Sequence, residues 1–395
     1  MEELQPRELS PDQLSALRAG AAHRAAYHIL GQTVHLAGND RTLIDRFDVL
    51  YEAFRVDPVP APGREILYHL APPGEPYRWL VWSDGQAHDV TDPVLAQFPA
   101  VVFARYVLQA LTTHYLVHSG CVSRDGRAVL ISGASGLGKS TLTAHLAAAG
   151  WDLLSDEFAP IRRRSRVVDP YPLRVGLRPG PGRDTVRGQP FIPLQFRSED
   201  KQLVTVAQLA GGRRAAAAEV VAVIFLTTEL TAEVATARRH RGVVRCWFTG
   251  WPATLGPDLT QRFGVGVEGA GQEGDLWWAD LSMGDLTERL EDFRACARDH
   301  GVVLALVEYE DFGEKDYAAP PQFLRLPASA GVVELVKRMP GVARNALING
   351  VFGGKSAGLL LELAATLGGL RFYKLTPGRL ADELQLVESI WRGDV

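Results

Sequence analysis

Apolar and polar positions along this chain switch between two periods, and the switches mark out its elements. Ser10-Pro11-Asp12 reads as a helix start, with Ser as N-cap and Pro at the first helical position. From about 27 to 90 the pattern shortens into β-rich runs at 33–36, 65–70 and 77–82, with Asn39-Asp40 and Asp84-Gly85 as turn signals. Residues from about 92 to 115 predict one apolar helix leading into the next domain. A hairpin is expected from 117–123 and 128–132, joined through Arg124-Asp125-Gly126-Arg127. A glycine-rich loop follows, then a helix over 140–149 and a strand through Leu153-Leu154. Pro-rich loop sequence runs from 169 to 193, and the wholly apolar run 220–226 suits the centre of a sheet. Residues 242–281 carry Trp247, Trp251, Trp277 and Trp278 among many glycines and show no clear period. Regular pattern resumes with a helix at about 285–300, a strand over 302–308, and helices near 332–338, 356–367 and 379–391.

The order of these elements predicts an α/β protein without internal repeats. A β-rich N-terminal domain (1–95) precedes a nucleotide-type core (96–240), a Trp/Gly-rich insertion with a helix and strand (241–330), and a helical C-terminal part packing on the core (331–395). The insertion is expected to help shape an acceptor site. A length of 395 residues accommodates two or three such domains.

Composition narrows the partners. A net charge of −4 predicts no general attraction to nucleic acid or an anionic membrane. Local basic runs, Arg162-Arg163-Arg164 among them, read as solvated turns and strand ends. Cys121, Cys246 and Cys296 are far apart and odd in number, which fits a reducing, cytoplasmic setting. No secretion signal is visible at the N-terminus. The apolar stretch near 359–367 is interrupted by Glu362 and too short to span a bilayer.

Gly133-Ala134-Ser135-Gly136-Leu137-Gly138-Lys139-Ser140 matches Gly-x-x-x-x-Gly-Lys-[Ser/Thr] in full. Here Gly133, Gly136 and Gly138 let backbone N–H groups turn inward, and the backbones of Ser135 and Thr141 complete a phosphate cradle at a helix start. Lys139 reaches the β- and γ-phosphates, and the Ser140 hydroxyl is a magnesium ligand. An apolar run precedes the loop and helical spacing follows it, as the motif requires. Lys139 is also one of only six lysines among 42 basic residues. A planar guanidinium is a poor substitute for a compact ammonium in such a cradle. The similar Gly353-Gly354-Lys355-Ser356 lacks the first glycine and reads as a helix start.

A carboxylate must then act on an acceptor hydroxyl or hold magnesium. Asp156 and Glu157 follow the next strand and fall at the carboxyl edge, where ligands sit in such sheets. Either could serve as base, with the other on the metal. Asp152 precedes the strand and should point away. Arg174 and Arg178, four apart in an extended segment, share a face and are candidate phosphate or acceptor contacts; surface placement fits them equally well.

His118-Ser119-Gly120, the strand and loop at 129–140, and Gly150-Trp151-Asp152-Leu153-Leu154-Ser155-Asp156-Glu157 resemble the kinase core of HPr kinase/phosphorylase. The layout is more similar to the HPr-kinase-related kinases found with peptide-modification and other biosynthetic genes. These share a segment like Tyr171-Pro172-Leu173-Arg174 and a late stretch like Tyr373-Lys374-Leu375-Thr376-Pro377-Gly378. The resemblance implies a P-loop kinase core of HPr-kinase type with a β-rich N-terminal domain and an α/β C-terminal extension. It also implies Asp156 as catalytic base, Glu157 on the metal and His118 near the active site. The downstream Arg-Gly-x-Gly signature of HPr kinase/phosphorylase has no equivalent here, so HPr as substrate, a phosphorylase activity and a hexamer do not carry over.

The expectation is a kinase using ATP or GTP with Mg2+, acting on a hydroxyl of a peptide or a small metabolite. It leaves room for a homo-oligomer. The alternative is a nucleotide-dependent switch or assembly ATPase without a phosphorylated product.

Overall fold

The computed structural model describes residues 7–57, 63–70, 78–81, 86–89, 98–134, 136–177, 202–204, 209, 215–227, 230, 243–273, 276–282, 290–302, 304–309 and 319–395. The fold is mixed α/β, with separate sheets in its N-terminal, central and 243–309 regions.

The first sheet has seven strands, with Arg64–Leu70, Gln32–Gly38 and His23–Ile29 side by side. The helix Pro11–Gly20 starts as expected: Ser10 and Gln13 form a reciprocal capping box. Thr42–Tyr51 is a helix that the turn signal at Asn39-Asp40 obscured; its apolar face buries Leu43, Ile44, Phe47 and Tyr51. That face does not close a core of its own. Phe47 and Tyr51 pack in one continuous cluster with Phe98, Phe103, Leu116, Tyr171 and Leu173 of the central region. The N-terminal sheet and the central sheet are therefore joined by buried aromatic surface, the most strongly stabilising kind per side chain.

Residues 92–97 of the expected helix over 92–115 lie outside the described residues; from Phe98 on, the apolar stretch is less regular than one helix and ends at Ala110. It runs as α-helix Phe98–Val102, a π-turn Phe103–Val107 and a 3-10 turn Leu108–Ala110. Tyr115 already belongs to the strand His114–Arg124. That strand and Arg127–Gly133 form the expected hairpin. Asp125 (φ 50°) and Gly126 (φ 71°) both take the left-handed conformation that a two-residue hairpin turn demands.

Arg127–Gly133 pairs in parallel with Ala218–Leu226, which pairs in parallel with Arg371–Leu375. Gly133, Leu226 and Leu375 thus finish at the same edge. From Val220 to Leu226 the strand Ala218–Leu226 places buried apolar side chains on both faces, as its hydrophobic run requires. Two strands of this sheet come from far along the chain, Phe323–Leu326 and Arg371–Leu375. The sheet therefore cuts across the boundary drawn at 330.

On the other side of the hairpin, Asp152–Ser155 and Phe158–Arg162 pair in succession with the same strand, His114–Arg124. They form one line interrupted at Asp156-Glu157. The helix Ser356–Leu367 covers the sheet face through Leu359, Leu363 and Leu367.

Residues 243–309 build an antiparallel sheet with the helices Leu255–Phe263 and Leu290–Asp299 on it. It has its own core, with Phe248, Leu259, Phe293 and Val302. At Gly271 the glycine has a packing origin: a Cβ there would lie 2.7 Å from the Trp278 ring. Among the described residues, no helix is long and apolar enough to cross a membrane.

The basic run 162–164 is not merely solvated. Arg163 donates to both oxygens of Glu362 (2.6 and 3.1 Å), Arg164 adds a third bond, and the Tyr115 hydroxyl a fourth. Arg162 forks onto Asp169. The charge that interrupted the apolar stretch thus ties its helix to the sheet. Hydrogen bonds from Arg163, against a smaller opposing effect of burial, hold the Glu362 carboxyl down to about 2 from its ordinary 4.5. A depressed carboxyl pKa stabilises the fold fully above the unfolded value and loses that contribution as pH falls through the folded one. Glu362→Gln is expected to cost about 1–3 kcal/mol at neutral pH. In thermal melts, the wild-type advantage should shrink as pH falls from 4.5 towards 2; an advantage independent of pH across that window would contradict the assignment.

Candidate functional site

The hairpin positions the glycine-rich loop. Strand Arg127–Gly133 delivers the chain to the loop, and helix Lys139–Ala148 leaves it. Gly136 (φ 82°) and Gly138 (φ 89°) sit in the left-handed region, where a Cβ is strained. Gly133 is tight for a different reason: its Cβ would meet Leu226 Cβ and the Leu226 carbonyl at 2.9 Å. Ser135 lies outside the described residues. Ser140 and Thr141 form the first turn of the helix and are partly exposed. Free N–H groups of a first helical turn face whatever anion enters there.

Lys139 is buried, at 8% exposure, and folds back over the loop. Its Nζ donates to the Gly133 carbonyl at 2.9 Å and the Ala134 carbonyl at 3.1 Å. Burial pulls its pKa below the ordinary lysine value; the charges of Asp156 and Glu157 oppose that, and Arg338 adds to it. One ammonium, one guanidinium and two carboxylates therefore share a single electrostatic environment.

The carboxylates owe their place to the break in the strand line. Ser155 Oγ accepts from the N–H groups of Glu157 (3.3 Å) and Phe158 (3.1 Å), a local side-chain-to-backbone bond that substitutes for ladder pairing. The Glu157 carbonyl accepts from Ser119 N–H at 3.2 Å, so the bend stays attached to the hairpin. Asp156 is 7% exposed, while the Glu157 side chain is 45% exposed. Asp152 begins this strand, at the end away from the bend.

His118 Nδ1 lies 3.7 Å from Glu157 Oε1, beyond hydrogen-bond range, and its ring meets Phe158 edge-on. Its N–H donates to the Arg338 carbonyl at 2.8 Å. Arg338 caps the helix Ala328–Lys337. Its Nε is buried and has no hydrogen-bond partner among the described residues. Sequence pattern marked Arg338 only as a helix end; neither its proximity to Lys139 nor the bend-forming role of Ser155 was read. For Ser155 a signal existed, a serine directly before two acids, which favours such turns.

Arg174 forms an ion pair in this structure. Its Nη2 donates to Glu52 Oε2 at 3.2 Å, linking the core to the N-terminal region. Arg178 lies outside the described residues. Beside this link, the Tyr171 and Tyr51 hydroxyls meet at 3.4 Å. Burial, with the Glu157 charge adding to it, raises both phenol pKa values. Phe158, next to Glu157 in sequence, packs against the cluster that holds Tyr51 and Tyr171, so the N-terminal region borders the bend. Lys355, in the second glycine-rich segment, is exposed ahead of helix Ser356–Leu367, as a helix start should be.

No protein-family model matches the chain, and no curated protein matches it. Among solved structures, the Hpr(Ser) kinase/phosphatase from Coxiella burnetii is similar over 28% of this chain and 59% of its own, at 18% identity and a TM-score of 0.18. The match spans less than two-thirds of that protein, and a likeness this slight decides neither fold nor activity.

The loop helix depends on close packing against the hairpin. A Cβ on Gly120 would lie 2.2 Å from Thr143 Oγ1 and 3.3 Å from Thr143 Cβ. Gly120→Ala is expected to push the helix off the strand and cost about 1–3 kcal/mol. Adding Thr143→Ala removes the colliding hydroxyl, leaves only the milder contact with Cβ, and should restore most of the loss. Denaturant unfolding of the single and double variants measures this; additive destabilisation would contradict the packing account.

Proposed function

We propose that this protein is a P-loop kinase of HPr-kinase type that transfers the γ-phosphoryl group of ATP or GTP to a hydroxyl, of a peptide Ser or Thr or of a small metabolite. The observation that carries this reading is the buried Lys139 ammonium at the mouth of a glycine-rich loop, in the field of Asp156. A loop that only bound nucleotide would need the lysine; a buried carboxylate whose charge acts on that lysine suits proton removal from an acceptor.

In this reading Lys139 leaves the Gly133 and Ala134 carbonyls for the β- and γ-phosphates. The first-turn N–H groups at Ser140 and Thr141 take up phosphate oxygens. Asp156 accepts the acceptor's hydroxyl proton as the new O–P bond forms and the bond to the β–γ bridging oxygen breaks. Negative charge gathers on that leaving oxygen, where Lys139 neutralises it. Arg338, with its buried Nε, is a donor for the transferring phosphoryl group. Ser140 and Glu157 would hold Mg2+, which neutralises phosphate charge and fixes the triphosphate. His118 borders the acceptor side. Most of the acceleration comes from positioning and charge neutralisation.

With γ-labelled nucleotide and candidate peptide or metabolite acceptors, Lys139→Ala should lose nucleotide binding or turnover. Asp156→Asn should bind nucleotide normally yet transfer about 10²–10⁴-fold more slowly. Arg338→Ala should slow transfer by about 10²-fold or more. Equal transfer by Asp156→Asn and wild type would remove the base assignment. Label appearing only as free phosphate, whatever the acceptor, would instead favour the nucleotide-dependent switch.

A further inference from the structure

We propose that the 243–309 region carries a divalent transition-metal site, of the kind that takes Zn2+, formed by Asp258, Cys296 and His300. Asp258 lies on the helix Leu255–Phe263; Cys296 lies near the end of Leu290–Asp299, and His300 follows it. The four-residue spacing of Cys296 and His300 puts both on one face of their helix, towards Asp258.

Two donors converge on a single carboxylate oxygen. His300 Nε2 lies 2.9 Å and Cys296 Sγ 3.4 Å from Asp258 Oδ2. All three ligating atoms fall within 4.8 Å of one another. Donors around a tetrahedral zinc ion lie roughly 3.3–3.8 Å apart, given ordinary Zn–N, Zn–O and Zn–S bond lengths. The two separations to Asp258 Oδ2 lie within about 0.5 Å of that spacing, the third pair lies within 4.8 Å, and the thiol proton would leave as the metal–sulfur bond forms. A mixed N, S and O donor set suits zinc better than magnesium or calcium.

The surroundings are built as an outer shell for such a site. Thr254 Oγ1 lies 3.0 Å from His300 Nδ1, positioned to accept its N–H and leave Nε2 for a metal. Arg262 Nε donates to Asp258 Oδ1 at 2.9 Å, orienting the carboxylate with Oδ2 inward. Cys296 is buried, whereas the Asp258 and His300 side chains keep 20% and 17% exposure, which gives an ion a way in. The rival account is a hydrogen-bonded staple between two helices with no affinity for metal.

Full-length protein stripped with chelator should take up one Zn2+ per chain and release protons as it does so. Co2+ in place of zinc should give the near-ultraviolet thiolate-to-cobalt charge-transfer band. Cys296→Ser should abolish that band, and Asp258→Asn, which keeps the shape of the carboxylate, should weaken zinc binding. Thr254→Val, outside the ligand set, should weaken it by about 10–100-fold. Circular dichroism of each variant separates lost binding from lost folding. Absence of stoichiometric zinc binding by folded wild type, or a cobalt band that survives in folded Cys296→Ser, would overturn the site and leave the staple. Neither outcome depends on phosphoryl transfer.

Discussion

Burying the ammonium group of Lys139 is the constraint around which the site is built. A cation that is only 8% exposed needs acceptors and opposite charge close by. The loop supplies the acceptors, through two carbonyls at its own mouth. Opposite charge must come from another element, and it comes from Asp156 and Glu157. They reach it because the strand line along His114–Arg124 breaks at that point, with Ser155 holding the break. Any regular strand there would alternate the two acids across opposite faces. The same hairpin therefore fixes both the lysine and its counter-charges, from its two opposite edges.

Much of this was legible locally. The loop, the apolar strands on either side of the core and the Asp-Gly hairpin are encoded in short windows, where a residue's neighbours in sequence are its neighbours in space. Reading failed where space and sequence part. Arg338 acts on Lys139 from a helix far along the chain, whose end meets the hairpin where the Arg338 carbonyl accepts from the His118 backbone N–H. Arg371–Leu375 joins the sheet in parallel with Ala218–Leu226, a pairing that no local pattern announces. Glu362 read as an interruption in an apolar run, although it is the partner of Arg163 and Arg164. The pattern leaves Arg174 open between a ligand contact and a surface position, and its ion pair with Glu52 is with a residue far away in sequence. In the Trp-rich stretch, Gly266, Gly269 and Gly271 of one strand hide the period on which strand recognition relies.

The regions differ in how they depend on one another. N-terminal and central regions share one aromatic cluster, so the position of Tyr51 beside Tyr171 is part of the geometry around Glu157. Residues 243–309, by contrast, close a core from their own side chains. Their polar cluster at Asp258 is likewise satisfied within the region.

The most direct measurement is a crystal structure with a non-hydrolysable ATP analogue and Mg2+. The account predicts the triphosphate in the loop at 133–140, with Lys139 Nζ moved from the Gly133 and Ala134 carbonyls onto the β- and γ-phosphates. Asp156 should face the terminal phosphate from the acceptor side. A nucleotide bound elsewhere, or Lys139 unmoved on the loop carbonyls with nucleotide present, would contradict it.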